Sequence, residues 1–213
     1  MILSVWPTSN ITLLNSQQIG VEQLLPFLEL LSPAALQRHH RFQRPLRRRQ
    51  FLLGRLLLRY ALAELLQVPC SEITLTEQGN LPPKLPGPVP VAGISLSHSG
   101  HWIACAVSLH TRVGLDIEVL DGKRNFSALA SQAFDARELA AFSALSAEQQ
   151  MSGFYRLWSQ KEARYKLGAS TDHHDYVLAH EALSVALAAD GQLKQLPLLC
   201  PLSWPQLTAA LLP

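Results

Sequence analysis

GISLSHSGHWIACAVS, residues 93–108, followed by VGLDIEVL, residues 113–120, decides the fold class. In the first stretch apolar and small polar side chains alternate on both sides of Ser99-Gly100, the pattern of two half-buried strands joined by a turn. The second stretch adds a third strand. Strand side chains alternate between faces, so Leu115, Ile117 and Val119 go to one side and Asp116 and Glu118 to the other, their Cα atoms about 6 to 7 Å apart. Two carboxylates at that separation can share a hard cation, which makes Asp116 and Glu118 a candidate magnesium half-site. The alternative is a solvent-facing strand edge with two ordinary acids.

Helical patterns flank these strands. Downstream, after a loop at residues 120–126, helices are expected over 133–145, with Asp135 as N-cap, and over 152–167. A strand at 182–187 and a turn at Asp190-Gly191 follow. Upstream, residues 1–20 read as an opening strand and 21–31 as a helix. Ser32-Pro33 has the form of an N-cap with proline in the first turn of a helix over 34–42. Pro45 separates that helix from a long apolar one over 46–68, where Arg48, Arg55 and Arg59 share a face that needs an anion or acids to be buried. Residues 79–90 hold five prolines and two glycines and read as a stiff loop. The chain is therefore of the α/β (α+β) class, in two α/β halves, 1–110 and 111–213.

Two further clusters carry candidate chemistry. Trp158, Glu162 and Lys166 fall on successive turns of the 152–167 helix, beside an apolar stripe of Phe154, Leu157, Trp158 and Tyr165 that would seat it on a sheet. Glu162 and Lys166 are either site residues or a surface pair. Ser95 to Gly100 puts three hydroxyls and the His98 imidazole at a strand end, able to cradle a phosphate or simply to build a turn. The run Asp172-His173-His174-Asp175 reads as a solvated loop, with a second metal site as its alternative. Trp6, Trp102 and Trp204 are expected as core or interface anchors.

Composition narrows the function classes. Of 213 residues, 48% are hydrophobic and 16% charged, which excludes disorder and coiled coil. No positive charge precedes the first apolar residues, and no apolar run reaches about 18 residues, so neither a signal peptide nor a membrane span is expected. Three cysteines without metal-ligand spacing suggest reduced thiols in a cytoplasmic protein. Net charge is only +2, yet eight of the 18 basic residues lie between Arg38 and Arg59 with no acid among them. The rest of the chain is mildly acidic, so one region seeks anions.

The order SLSHSG, GLDIE, FYRLWSQKEARYK resembles the 4′-phosphopantetheinyl transferases of the surfactin-synthetase-activating (Sfp) type, which include bacterial holo-acyl-carrier-protein synthases. The family pattern is a serine-histidine-serine turn, G-(I/V/L)-D-(I/L/V)-E and W-x-x-K-E-A/S-x-x-K. The resemblance runs from about Ser32 to Ala169. It implies that family's fold of two similar, pseudo-symmetric α/β halves in a monomer that builds its site alone. It also implies magnesium-dependent transfer of the phosphopantetheine arm of coenzyme A to a serine of an apo acyl or peptidyl carrier protein, releasing 3′,5′-ADP. Asp116, Glu118 and Glu162 would hold Mg2+, Glu162 would accept the serine proton, and Lys166 would neutralise the diphosphate. Lys161, Ser97 and His98 would meet coenzyme A, His98 at a phosphate. SPAALQRHHRFQR resembles the family's basic stretch that meets the 3′-phosphate, through Arg38, while Arg49 and Arg55 lie in RRRQFLLGRLLLR, which resembles its R-x-F-L-x-G-R-x-L-L-R helix. Where many relatives carry Gly-Lys-Pro this chain reads Gly79-Asn80-Leu81-Pro82-Pro83-Lys84, leaving Lys84 to supply that charge from a shifted position. An exposed basic or apolar patch is expected to receive the carrier, with Arg44, Arg47 and Arg48 as candidates.

Three rivals use the same residues. A nucleic-acid-binding protein would use the arginine run, but the acidic remainder and the lack of a recognised module argue against it. A metal-dependent nucleotide phosphohydrolase would use the same carboxylates, and a coenzyme A-binding relative without activity would follow from the altered loop at Asn80.

Overall fold

The computed structural model describes residues 9–79, 81–87, 91–168 and 172–212. The part of the expected opening strand before Ser9, with Trp6, lies outside them, as do Asn80 and residues 88–90. The chain opens on β1 (Ser9–Asn15) and α1 (Val21–Leu24). The expected 21–31 helix passes into a 3-10 segment, Leu25–Leu30, at Pro26, which has no N–H to return to the preceding turn. α2 (Pro33–Arg41) starts as expected, with Ser32 Oγ accepting from the Ala35 N–H. α3 (Pro45–Leu66) is the long apolar helix.

β2 (Thr76–Gln78) and β3 (Leu81–Lys84) form a small antiparallel ribbon where a loop was expected. Pro82 and Pro83 fall at a register irregularity, between the pairs Gln78–Leu81 and Thr76–Lys84, where a strand tolerates residues that have no N–H to donate. Then come β4 (Gly93–Ser99), β5 (Trp102–Ser108) and β6 (Val113–Val119). The expected linker ends in α4 (Phe126–Ala133), capped by Asn125. α5 (Ala136–Ser143) has Asp135 as its cap, as expected, and α6 (Ala147–Leu167) begins one turn earlier than expected. β7 (His174–Leu178), β8 (Leu183–Ala189), β9 (Leu198–Leu202) and α7 (Trp204–Leu211) complete the chain.

The molecule is a mixed α/β structure; besides the β2-β3 ribbon, the described residues form two larger sheets, ordered β4-β5-β1-β9 and β6-β8-β7. In the first, only β1 and β9 run parallel; in the second every pair is antiparallel. Both sheets place a later hairpin strand, β5 or β8, between its hairpin mate and the strand that precedes the long helix. β9 returns to the first sheet, and Leu207 and Leu211 of α7 join the core beneath α3. Trp204 meets Phe27 edge-on at 5.1 Å, the anchoring role expected of it.

Packing gives four layers. α3 covers one face of the first sheet through Leu53, Leu57, Ile103 and Cys105. The other face carries Ile11, Leu13, Ala104 and Ala106 and packs on Leu115, Ile117, Val185 and Leu187 of the second sheet. α6 closes the far side through Ala163 and Leu167 on Ala186 and Ala188. Gly114 permits that closure: a Cβ there would stand 2.0 Å from the Ala163 carbonyl oxygen and 2.5 Å from the Leu167 nitrogen.

Candidate active site

The two sheets meet along β4 and β6, and the contact is made by side chains. Ser95, Ser97 and Ser99 point the same way from β4, and their hydroxyl oxygens accept from the N–H groups of Leu115, Ile117 and Val119 at 2.8, 3.2 and 3.1 Å. The serines of the 95–100 cluster therefore stitch the sheets together rather than standing open as a phosphate cradle. Two of them also hold the acids. Ser97 Oγ donates to Asp116 Oδ1 at 3.1 Å, and Ser99 Oγ donates to Glu118 Oε2 at 2.8 Å.

From the opposite layer α6 sends Lys166 onto the same point. Its ammonium donates to Asp116 Oδ1 at 2.8 Å, to Ser97 Oγ at 3.0 Å and to the Leu115 carbonyl at 3.0 Å. Asp116 is buried, and burial pushes its carboxyl above the ordinary aspartate range despite Lys166 and the hydroxyls of Ser97 and Ser159. Glu118 is raised by burial as well and by the charge of Asp116, against the Ser99 and Trp158 hydrogen bonds. Among the described residues, Asp116 Oδ2 is buried without a hydrogen-bond partner of good geometry. A hard cation satisfies such an oxygen, so Asp116 and Glu118 fit a divalent ion by chemistry.

The expected third ligand is not gathered with them. Glu162 is half-buried on α6, a turn before Lys166, and among the described residues no three Asp, Glu, His or Cys side chains are placed to hold one ion. The physical reason is that the ammonium of Lys166, not a carboxylate, is the group α6 delivers to Asp116. Lys161 turns outward to Glu138 of α5 at 2.8 Å.

A cleft of about 730 Å³ runs from this point along α3. Its walls include Arg38, Arg47, Arg55, Ser97, His98 and Lys166, with Leu81 and Pro82 of β3 and the exposed Tyr165 at its margins. Tyr165 thus leaves the apolar stripe expected of it. Arg47 contacts the His98 ring and donates to Gln50 Oε1 at 2.9 Å, and Gln50 Nε2 donates to the Gly100 carbonyl at 2.8 Å. Burial, then Arg47 and Lys166, push the imidazole down to about 4, so His98 is neutral near pH 7 and offers a single N–H.

Arg55 lies on the face of Phe51 and is gripped bidentately by Glu77, at 2.6 and 2.8 Å. Arg38 reaches the same carboxylate at 3.2 Å and the Gly79 carbonyl. Glu77 is held below the usual carboxylate range by these two arginines, which outweigh its burial. We expect Glu77→Ala to lower stability by about 3 kcal/mol, because it leaves the buried Arg55 guanidinium without a counter-charge; urea unfolding of the variant measures this. Glu77 was not singled out from the sequence, although it is the only acid between Glu72 and Asp116 and the arginine face of α3 required one.

Two expected cleft residues lie elsewhere. Arg49 turns to another face of α3 and donates to the carbonyls of Ser16 and Ile19 at 3.1 and 2.6 Å, so Arg47 takes the place expected for it. Lys84 ends β3 opposite Thr76, exposed and apart from the cleft residues. His174 and Asp175 belong to β7, where Asp175 pairs with Arg164, and no metal cluster forms there among the described residues.

A model of the 4′-phosphopantetheinyl transferase superfamily matches residues 112–194, which take in β6, α6 and β8. The chain is 36% identical over 147 residues to the 4′-phosphopantetheinyl transferase psf-1 of Bacillus pumilus, across 69% of this chain and 60% of that protein. It is 39% identical over 120 residues to the 4′-phosphopantetheinyl transferase AcpT of Salmonella typhimurium, across 56% of this chain and 58% of that one. With the 4′-phosphopantetheinyl transferase Sfp of Bacillus subtilis it shares 30% identity over 166 residues, across 78% of this chain and 70% of the relative. The chain thus spans about 60% of the length of the first two relatives. It belongs to the 4′-phosphopantetheinyl transferase superfamily.

Proposed function

We propose that this chain transfers the 4′-phosphopantetheine arm of coenzyme A to a serine of an apo acyl or peptidyl carrier protein, with Mg2+, releasing 3′,5′-ADP. The observation that carries the reading is a cleft walled by Arg38, Arg47, Arg55, His98 and Lys166 that reaches Ser97 and Lys166, the two side chains that hold Asp116. The halves divide the work. Residues 1–110 grip the nucleotide and its 3′-phosphate and residues 111–213 supply the acids and α6; the similar order β4-β5-β1 and β7-β8-β6 supports reading them as pseudo-symmetric, although β9 of the second half joins the first sheet. One chain holds both, so it acts as a monomer, without nucleic acid or membrane as a partner. The free thiols of Cys70, Cys105 and Cys200 fit a reducing, cytoplasmic setting.

Transfer is an in-line displacement at phosphorus, and positioning and charge stabilisation do most of the work. Asp116 and Glu118 would hold Mg2+, which would neutralise charge on the diphosphate. Lys166 stands between Asp116 and the cleft and can offer its ammonium to the same phosphates. Neutral His98 donates one hydrogen bond to a phosphate, and Arg38 and Arg47 attract the 3′-phosphate. Glu162 takes the proton of the attacking serine.

Incubation with coenzyme A, Mg2+ and a panel of apo carrier proteins tests the reading by mass: one phosphopantetheine gained per carrier supports it, and no gain on any carrier refutes it. Arg38→Ala should raise KM for coenzyme A about tenfold or more, with a smaller change for dephospho-coenzyme A, which lacks the 3′-phosphate. Equal changes for both substrates would remove Arg38 from that role.

A further inference from the structure

On the face of α3 turned away from the cleft, α1, the Leu25–Leu30 turn and the start of α3 line a groove of about 500 Å³ that shares no residue with the cleft wall. We infer that this groove is a second ligand site, which holds a single-chain aliphatic carboxylate with its chain along the leucines and its head group on Arg48. The inference stands apart from the transfer reading, since neither coenzyme A nor a carrier takes part in it.

The lining has an apolar part and a cationic part. Val21, Leu25 and Leu46 are 66%, 56% and 40% exposed, over a floor of buried Leu24 and Leu52. Large aliphatic side chains left together in water gain free energy when a hydrocarbon chain covers them. No Phe, Tyr or Trp lines the groove, so nothing in it is shaped to stack on a flat ring.

Arg48 and Arg49 line the groove and no acid does; Glu22 and Glu29, on the same segment as Val21 and Leu25, are exposed outside it. The two arginines have different tasks. Arg49 donates to the carbonyls of Ser16 and Ile19 at 3.1 and 2.6 Å, which ties α3 to the chain entering α1 and so holds the groove's walls in place. Arg48 donates through Nε to the Phe42 carbonyl at 2.7 Å, and its two terminal amino groups have no protein acceptor among the described residues. A carbonyl orients a guanidinium without cancelling its charge, and the remaining N–H groups form the planar fork that takes a carboxylate bidentately. Burial, then His40 and Arg48, lower the His39 imidazole, so that ring adds no charge near pH 7. A preformed, mostly apolar groove of this volume with a few convergent polar groups has the make-up of a small-molecule site.

Calorimetric titration of the chain with decanoate, below its micellar range, reads binding directly. One saturable site per chain is the expected result, with affinity rising about fourfold per added CH2 from octanoate to dodecanoate. Decyltrimethylammonium, the same chain with the opposite charge, should bind about tenfold more weakly or worse. Leu25→Asp should raise Kd for decanoate about tenfold or more, and Arg48→Glu should reverse the preference between the two head groups, both with thermal melts as in the parent. The ligand series uses the parent chain alone, so it tests the site even where a variant fails to fold. No saturable binding, equal affinity for the two head groups, or parent-like Kd for decanoate in both folded variants overturns the site. So does capture by phosphatidylglycerol vesicles without binding of free decanoate, which would assign the groove to a lipid surface. A concentration-dependent dimer that Leu25→Asp abolishes, again without decanoate binding, would assign it to a second copy and overturn the proposal as well.

Discussion

Gly114→Val should cost about 3 kcal/mol of stability and remove transfer activity together. The first side-chain atom at this position would stand 2.0 Å from the carbonyl oxygen of Ala163 and 2.5 Å from the Leu167 nitrogen, both backbone atoms of α6 that no rotamer change can clear. The helix has to back away from β6 to admit it. Lys166 moves with α6, and its hydrogen bonds to Asp116, Ser97 and the Leu115 carbonyl stretch or break. Gly54→Ala in α3 is the control. A Cβ there meets nothing nearer than Leu96 at 3.9 Å, and alanine suits a helix interior better by about 1 kcal/mol. Urea unfolding of the two variants should give shifts of opposite sign, and a parent-like midpoint for Gly114→Val would show that α6 is not seated by this glycine.

Glu162→Ala should lower kcat about 10²- to 10⁴-fold, the range for loss of a general base, with an unchanged melting temperature. Glu162 is half-buried and lies outside both the hydrophobic clusters and the hydrogen bonds and ion pairs among the described residues, so its removal takes little from the folded state. Carrier labelling at the parent rate would take Glu162 out of the chemistry, while a lower kcat with unaltered KM for coenzyme A separates proton transfer from substrate binding. Metal titration of the same variant, followed calorimetrically, adds a second reading: weaker Mg2+ binding in the presence of coenzyme A assigns it a share of the ion.

These variants touch residues that were legible in the sequence, and the contrast with those that were not has physical causes. Period-two alternation located β4, β5 and β6 and separated Asp116 and Glu118 from the apolar face before any fold was known, because a strand has only two faces. The arginine run at residues 47–49 could not be resolved in the same way. Three consecutive residues sweep about 200° of a helix at 3.6 residues per turn, so a run of one type conceals which member faces the cleft; Arg47 does, and Arg49 does not. Lys84 failed for a related reason: charge was matched by type, whereas β3 presents Leu81 and Pro82 to the cleft and ends at Lys84. β9 escaped notice because Leu198 to Leu202 does not alternate and its partner, β1, lies at the other end of the chain. α4 fills the gap between the linker expected at 120–126 and the helix expected at 133–145, and its one cue was the cap at Asn125. The carboxylate of Glu77 illustrates a demand visible without its answer: the arginines asked for a counter-charge, and only tertiary folding could say which acid came.

The serine contacts between β4 and β6 bear on how precisely the acids are placed. A backbone ladder would leave side chains to find their own positions, but here one oxygen atom both anchors the β6 backbone and orients a carboxylate, at Ser97 for Asp116 and at Ser99 for Glu118. Sliding β6 by a single residue along its neighbour would swap its two faces, turning both carboxylates into the apolar interior at once. Register and chemistry are in that sense one variable: whatever holds the strand in step also aims the acids.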